Sequence, residues 1–339
     1  MSRIVLISIC QVSHLPFKNP GSATDGELSD PHPILYGVSQ GSLLGPLLFI
    51  VYINDLPSVI KHCKLQLYAD DTLVYFSSSS INDIESKLSE DLESVIYWLN
   101  SNFLFFNYSK TKVMFTGTNQ RLASVDSFTV KAKDTILSRV YQFKYLGVVL
   151  DPCLSWNEHI DYMGRKISAR LGMLRKAHKV IPRESGITMY NAMILPLFDY
   201  SAVIWDCCGK TNRDYLDKLQ RRADSIIKGH RIPQSQVYHT FSWLSLQSRR
   251  DYLKCMLVFK CIHGLAPPYL LNEFSHSREY HSYNTRHRDL LRLPLARTPK
   301  YQASFRYSGA KTWNTLLSDL RNVRDMSLFR IRPKKHFRC

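Results

Sequence analysis

Paired metal-binding or redox cysteines are missing from this chain, since none of its eight cysteines forms a C-x-x-C pair. A zinc knuckle or a redox dithiol is therefore not indicated. No apolar run reaches the roughly 20 residues that a membrane-spanning helix needs. Internal repeats and low-complexity tracts are also lacking, apart from the serine run 77–80. With 339 residues, 45% of them hydrophobic and 22% charged, the composition is that of a globular protein of two or three domains.

The cysteine contexts indicate reduced thiols in an intracellular protein rather than a disulfide framework. Cys255, Cys261 and His263 lie close in sequence but within an apolar stretch, so we interpret them as core residues and not as metal ligands. The apolar run 4–10 faintly resembles a signal peptide. It is at the short limit and lacks a clear small-x-small cleavage site, so secretion is not expected.

Acidic residues are scarce in the second half of the chain. Residues 1–150 carry 12 Lys and Arg against 13 Asp and Glu, whereas residues 151–339 carry 33 against 15. The net charge of +17 therefore belongs to the second half. A basic surface of that size attracts polyanions, most often nucleic acid, with a membrane surface as the alternative.

The most informative feature present is the tetrapeptide Tyr68-Ala69-Asp70-Asp71 between two short apolar runs. Asp is unfavourable inside strands, so the pattern predicts a β-hairpin with the two carboxylates at its tip. Adjacent like charges repel each other and are stabilised by water or by a cation. Mg²⁺ commonly binds one or two carboxylates together with substrate phosphate oxygens. The tip therefore indicates metal-assisted phosphoryl or nucleotidyl transfer, and a solvated turn is the alternative.

Several elements surround the hairpin. Residues 1–33 carry Pro, Gly, Ser and Asp breakers and are expected to form a loosely ordered lead-in. A short strand over 34–36, a buried helix over 43–56 and an amphipathic helix over 81–102 follow, the last from apolar residues that recur every three or four positions. Further strands are predicted at 113–115, 128–130 and 145–150.

Beyond Asp151 the pattern changes to helices. We predict helices over 157–180, 186–205, 213–228 and 245–263, of which the first and third are basic. From Gly264 to the end the chain is basic and irregular, with one helix over 309–321.

The order of helix, acidic hairpin, helix and strand predicts an α+β fold, the second half of a split β-α-β palm. Here the sequence resembles the reverse transcriptases of non-LTR retrotransposons, the LINE elements of the CR1 or jockey type, from about residue 28 to the end. Besides Tyr68-Ala69-Asp70-Asp71, the resemblance is carried by Gly37-Val38-Ser39-Gln40-Gly41-Ser42, Tyr52-Ile53-Asn54-Asp55-Leu56-Pro57, Asn107-Tyr108-Ser109-Lys110-Thr111-Lys112, Phe143-Lys144-Tyr145-Leu146-Gly147 and Leu154-Ser155-Trp156-Asn157-Glu158-His159-Ile160.

The resemblance implies an incomplete polymerase palm with an antiparallel sheet and helices over 34–150, an all-α basic thumb over 151–230, and a basic, helical to irregular C-terminal region over 231–339.

The resemblance also implies roles for single residues. Asp70 and Asp71 are expected to bind Mg²⁺, or Mn²⁺, and Lys110 to contact phosphate or donate a proton. Nucleotide and template would be held by Gly37, Gln40, Gly41, Ser42, Tyr68 and Ala69, and the primer end by the grip Tyr145, Leu146 and Gly147. Nucleic-acid phosphates would be bound by Arg165, Lys166, Arg170, Arg175, Lys176, Lys179, Arg221 and Arg222.

The partners implied are an RNA template with a DNA primer, or an RNA–DNA duplex, and a deoxynucleoside triphosphate. No membrane partner is expected, and the oligomeric state is not indicated. The site of action would be the nucleus, the cytoplasm or both.

One departure from the family affects the expected activity. Two-metal nucleotidyl transfer needs carboxylates from two strands, and in the family the second source is an Asp on the first palm strand. Asp25 and Asp30 precede Gly37 but lack the required strand context, and the fingers region is not recognisable. We therefore expect an N-terminally truncated, inactive copy. An active RNA-directed DNA polymerase with a mis-assigned start, and a nucleic-acid-binding module without catalysis, are the alternatives.

Overall fold

A computed structural model of the chain describes residues 3–10, 41–123, 129–229, 243–279 and 289–337. The chain divides into two compact units, Met1–Leu154 and Ser155–Cys339. Among the described residues, no helix has both the length and the apolar character that crossing a bilayer requires.

The first unit is built on a five-stranded sheet. Its strands are β1 (Arg3–Cys10), β2 (Lys64–Tyr68), β3 (Asp71–Ser78) and β4 (Lys112–Thr116), with the short β7 (Ser138–Arg139) at one edge. Their order in the sheet is β2-β3-β1-β4-β7. All pairings are antiparallel except β4 with β7. Two small antiparallel ladders complete the unit, β5 (Lys131–Ala132) with β6 (Thr135–Ile136) and β8 (Phe143–Tyr145) with β9 (Val148–Leu150).

Strand β1 corrects the expectation of a loosely ordered lead-in for residues 3–10. It lies in the middle of the sheet and pairs with β3 along its whole length, from Arg3 opposite Ser78 to Cys10 opposite Asp71. Its other edge pairs with β4. Formation of this strand satisfies backbone groups on both neighbours, which is the reason a central position is stable.

Helix α2 (Ile81–Ser101) confirms the predicted amphipathic helix and covers the sheet. Its N-cap is Ser80, whose Oγ accepts from the Asp83 N–H at 3.3 Å. The helix face toward the sheet is fully buried and packs on sheet residues such as Val74, Val113 and Phe115. This helix face consists of Ile84, Leu88, Leu92, Val95, Ile96 and Leu99. Each of these side chains contributes about 1.5–3 kcal/mol by its removal from water.

Helix α1 (Gly45–Ile53) is shorter and more exposed than the buried helix predicted over 43–56. Only Gly45 and Ile53 are buried, whereas Leu43 is 97% and Val51 68% exposed. An apolar run predicts that a helix will be covered but does not specify a neighbour, and no described element packs over this face. A 3₁₀ turn, Leu56–Val59, and a four-residue helix α3, Asn119–Leu122, are the other helical pieces among the described residues of this unit.

The predicted strand over 145–150 is two strands, β8 and β9, joined by a turn at Leu146 and Gly147, whose φ angles are +44° and +81°. The strand predicted over 128–130 falls partly outside the described residues, and residues 129–130 precede β5. The strand predicted over 34–36 also lies outside them.

The second unit is helical. Helices α4 (Asn157–Ala177) and α8 (Lys210–Lys228) pack against each other. The single helix predicted over 186–205 is instead four pieces: α5 (Arg183–Met189), a π-helical turn (Tyr190–Ile194), α6 (Leu195–Asp199) and α7 (Ala202–Trp205). Pro196 and the left-handed Ser201 (φ +52°) account for the last two breaks.

The C-terminal part is more helical than predicted. Helix α9 (Leu246–Ile262) matches the prediction over 245–263. It is followed by α10 (Pro268–Leu271), a 3₁₀ turn (Ser277–Glu279), α11 (Pro299–Ala303), α12 (Phe305–Asn314), α13 (Ser318–Arg321) and α14 (Met326–His336). Cys255 and Cys261 are buried, as predicted for core residues, and burial raises the pKa of both thiols.

Candidate functional site

The acidic hairpin forms as predicted. Tyr68 on β2 pairs with Asp71 on β3, so the loop consists of Ala69 and Asp70 alone. Ala69 has φ +50°, a left-handed conformation that costs an L-residue about 1–2 kcal/mol. Tyr68 and Asp70 are exposed, and Asp71 is half-buried. The strained turn therefore holds two carboxylates side by side at one end of the sheet.

The electrostatics of this tip favour a cation. Burial raises the pKa of Asp71, and the neighbouring charge of Asp70 raises it further. A bound cation would reverse the second effect, because it stabilises both ionised carboxylates. Within the described part of the chain, no group of three His, Cys, Asp or Glu side chains comes together as a metal site. The hairpin thus offers two carboxylates.

The strand next to the hairpin supplies a backbone position directly opposite Asp71 for a third ligand. Cys10 of β1 is the register partner of Asp71, and Ser8 is the partner of both Leu73 and Lys112. The sequence of β1 contains no Asp or Glu. Other predicted residues upstream of α1, namely Asp25, Asp30, Gly37 and Gln40, lie outside the described residues.

Lys110 lies at the same end of the sheet as the hairpin. It precedes β4 in a turn where Asn107 Oδ1 accepts from the Lys110 N–H at 3.1 Å and from Ser109 Oγ at 2.8 Å. Its side chain is exposed. Because β1 separates β3 from β4, two strand spacings, about 10 Å, lie between the hairpin strand and the Lys110 turn. That gap leaves room for a ligand between the two.

Tyr145 is the predicted grip residue whose electrostatics involve the acidic pair. Burial raises its pKa and the charge of Asp71 raises it further. The Tyr145 Oη atom is buried and has no hydrogen-bond partner among the residues that the structure describes. The turn that follows, Leu146 and Gly147, is left-handed at both residues. The β8–β9 hairpin therefore holds a buried hydroxyl that the charge of Asp71 influences.

Gly41 and Ser42 lie just before α1. Within the described ranges, neither forms a hydrogen bond with Asp70 or Asp71. Gly41 has φ +83°, a conformation for which glycine is suited, and is exposed. Ser42 Oγ accepts from the Leu44 N–H at 3.3 Å, but Leu44 and not Ser42 is the N-cap of the helix.

The predicted phosphate-binding residues belong to the second unit, and most are exposed. On α4, Arg165, Lys166, Arg175 and Lys176 are exposed, and Lys179 is exposed just beyond it. Arg165 and Lys176 are eleven positions apart, which returns to nearly the same line on a helix. Arg170 is half-buried and donates to the Met193 carbonyl. On α8, Arg222 is exposed and Arg221 is half-buried.

Comparison with known proteins identifies the first unit. Residues 7–150 match the family described as Reverse transcriptase (RNA-dependent DNA polymerase), an interval that starts within β1 and ends with β9. Over residues 7–150 the chain is therefore similar to reverse transcriptases. This confirms the resemblance drawn from the sequence blocks.

Relatives come from insect transposons. The chain is 31% identical over 212 residues to the probable RNA-directed DNA polymerase from transposon BS of Drosophila melanogaster, covering 59% of this chain and 23% of that protein. It is 24% identical over 279 residues to the corresponding protein of the X-element, covering 80% and 28%. The polymerase of the mobile element jockey from Drosophila funebris is 26% identical over 216 residues, covering 60% and 23%. The chain thus spans about a quarter of these relatives' length.

Sequence reasoning missed Cys10 as the partner of Asp71. The signal was present, because the run from Ile4 to Ile9 is rich in β-branched residues, which favour strands. It also missed Asp91, which is fully buried in α2 and binds the backbone just before β2. A single acidic residue on a helix that carries several exposed ones has no local signal for burial.

Proposed function

We propose that this chain is the palm and thumb part of an RNA-directed DNA polymerase of a jockey-type retrotransposon and has lost nucleotidyl transfer. The observation that carries the proposal is the acidic hairpin of a reverse transcriptase domain beside a central strand, β1, whose sequence lacks a carboxylate. Removing a group that holds catalytic metal costs several kcal/mol of transition-state stabilisation, or about a thousand-fold in rate.

The residues present fit one divalent cation. Asp70 and Asp71 are adjacent, and their repulsion raises the pKa of Asp71, so Mg²⁺ or Mn²⁺ would be held by these two carboxylates. Such an ion would supply charge neutralisation at the phosphates of a nucleotide. Two ions about 4 Å apart need a further carboxylate, which β1 does not provide.

The other residues have roles in positioning. We assign Lys110 to a phosphate of the incoming nucleotide, because it lies across the central strand from the hairpin at the same end of the sheet. Tyr145 would donate its free hydroxyl to the primer end. The exposed cations of α4 would bind backbone phosphates of template and primer, contacts that carry no sequence information. An intracellular site of action, nuclear or cytoplasmic, follows from these partners.

The test is extension of a DNA primer on an RNA template by the full chain with Mg²⁺ or Mn²⁺. We expect no more extension than by the Asp70→Asn variant, together with retained binding of the RNA–DNA duplex. Extension that is abolished by Asp70→Asn contradicts the loss of activity and favours an active reverse transcriptase.

A gain-of-function variant tests the reason for the loss. Cys10→Asp adds a carboxylate at the register partner of Asp71 and is expected to tighten Mn²⁺ binding about tenfold, since affinity rises with the number of charged ligands. Ser77→Asp is the matched control, because it adds the same charge at an exposed position on β3, about 20 Å from Asp71 along that strand. Electron paramagnetic resonance of free Mn²⁺ measures the Mn²⁺ affinity of both variants. Equal affinities for the two variants would count against the role given to β1.

Nucleic-acid binding without chemistry is the second candidate, favoured by the exposed cations of α4. Arg165→Gln with Lys176→Gln is expected to reduce the slope of log affinity against log salt by about 1–2, since each phosphate contact contributes about 0.9. Lys131→Gln with Lys133→Gln, two exposed lysines of the first unit, is the control. A slope that falls equally in both pairs excludes α4 as the binding surface.

A further inference from the structure

The C-terminal part of the second unit contains a cavity that none of the predicted site residues lines. It has a volume of about 570 Å³ and is open between the end of α9, the residues 289–290 and the helices α12 and α13. This volume is in the range of small-molecule sites, about 300–1,000 Å³, and exceeds what one small ion needs.

The lining is predominantly cationic. Arg278, Arg321 and Arg324 face the cavity, against one carboxylate, Asp289. Arg278 and Asp289 are 3.7 Å apart and both more than half exposed, so their pairing is weak. Among the residues that the structure describes, no carboxylate pairs with Arg321 or Arg324. The three arginines therefore outnumber the one carboxylate of the lining, and the cavity has a net positive charge.

Arg321 has an unsatisfied donor. Its Nε atom is buried and has no hydrogen-bond partner within the described part of the chain. A buried N–H without an acceptor costs about 1–3 kcal/mol, more when the group is charged. An oxyanion bound at this guanidinium would gain charge-assisted hydrogen bonds without displacing an existing ion pair.

Two imidazoles at the cavity have a fixed orientation. His263 Nδ1 is 2.9 Å from the Phe259 carbonyl, and His276 Nδ1 is 3.3 Å from the Asp289 carbonyl. A carbonyl oxygen only accepts, so the proton of each neutral ring is assigned to Nδ1. Each ring then keeps Nε2 for a ligand, as an acceptor when neutral and as a donor when protonated. This suits an anion that itself carries exchangeable protons.

Phosphate is the ligand chemistry that combines these features. The planar guanidinium fork matches phosphate oxygens, and the excess of cations rejects a metal ion. We propose that the cavity binds a phosphate-bearing ligand, either a polyphosphate of nucleotide type or the backbone of single-stranded nucleic acid, through Arg321 and Arg324. No residue of the acidic hairpin lines this site, and its existence does not depend on polymerase activity.

Direct binding to the full chain tests the proposal at about 0.15 M salt, where surface charges are largely screened. The two probes are inorganic triphosphate, followed by calorimetry, and a fluorescein-labelled oligothymidylate of about 12 residues, followed by anisotropy. Arg321→Gln with Arg324→Gln removes two charges from the cavity. Lys311→Gln with Arg332→Gln removes two exposed charges that do not line it.

We expect the cavity pair to weaken binding of at least one probe about tenfold or more, and the control pair to weaken it no more than about threefold. If the cavity pair loses affinity for triphosphate, the cavity is a polyphosphate site. If it loses affinity for the oligonucleotide alone, the cavity binds the nucleic-acid backbone. Equal losses in both pairs, or no binding of either probe by the unmodified chain, overturn the proposal. If the cavity pair fails to fold, Arg324→Gln alone, at an exposed position, replaces it. Its loss of affinity is then compared with that of the control pair.

Discussion

Asp91 is predicted to be a main determinant of the position of the acidic hairpin. Its carboxylate is fully buried in α2 and accepts from the backbone N–H groups of Lys61 at 3.0 Å, His62 at 2.9 Å and Cys63 at 2.6 Å. These three residues lead directly into β2, which ends at the hairpin. One side chain therefore satisfies three backbone donors and fixes the entry to the strand.

The cost of Asp91→Asn follows from these bonds. The amide oxygen can keep two acceptor positions, but without charge each bond weakens by about 1 kcal/mol. The third N–H then faces the amide NH₂, and a buried N–H without an acceptor costs about 1–3 kcal/mol. We expect the free energy of unfolding to fall by about 3–5 kcal/mol in total, measured by urea denaturation at pH 7.

The same contacts give a pH dependence. Burial by itself raises the pKa of Asp91, but the three backbone donors outweigh it and the pKa is lowered. The stabilisation is therefore fully present above the ordinary Asp value of about 3.9 and is lost as the pH falls through the lower folded-state value. The difference between the unmodified chain and Asp91→Asn should shrink below about pH 4.

Asp83→Asn is the matched control, because Asp83 is on the same helix and pairs with Lys87 at the surface, 2.8 Å away. It should destabilise far less. An Asp91→Asn loss no larger than the control's, or a loss that does not change on acidification, would refute the reasoning.

Two further predictions concern close packing and charge. Gly164→Ala in α4 should destabilise the second unit by about 1–3 kcal/mol in urea denaturation, because the new Cβ would lie 2.8 Å from Tyr215 Cζ. Gly172→Ala, on the same helix with open space around it, should instead stabilise this unit by about 0.5–1 kcal/mol. Changes of the same sign in the free energy of unfolding of both variants would contradict this account. Asp70→Asn should lower the pKa of Asp71 in a carboxyl NMR titration, since it removes the like charge, and an unchanged or higher pKa would show that burial alone sets it.

Local features of the chain were predictable where the signal lies within a few residues. The hairpin at 68–71 follows from two Asp residues between apolar strands, and α2 from apolar residues at helical spacing. The basic helix α4 and helix α9 were predicted to within a few residues of their ends. Periodicity and turn chemistry act over one or two turns, so the sequence is sufficient for them.

The sequence by itself determined the chemistry available: two adjacent carboxylates, a basic second half and the blocks of a reverse transcriptase. Only the tertiary structure decided that residues 3–10 form the central strand, since that pairing joins β1 to β3 across more than sixty residues. It also decided that Asp91 is buried, that α1 is exposed and that the Tyr145 hydroxyl is buried. These outcomes depend on which distant segments come together to bury surface and satisfy backbone groups, and local patterns do not contain that information.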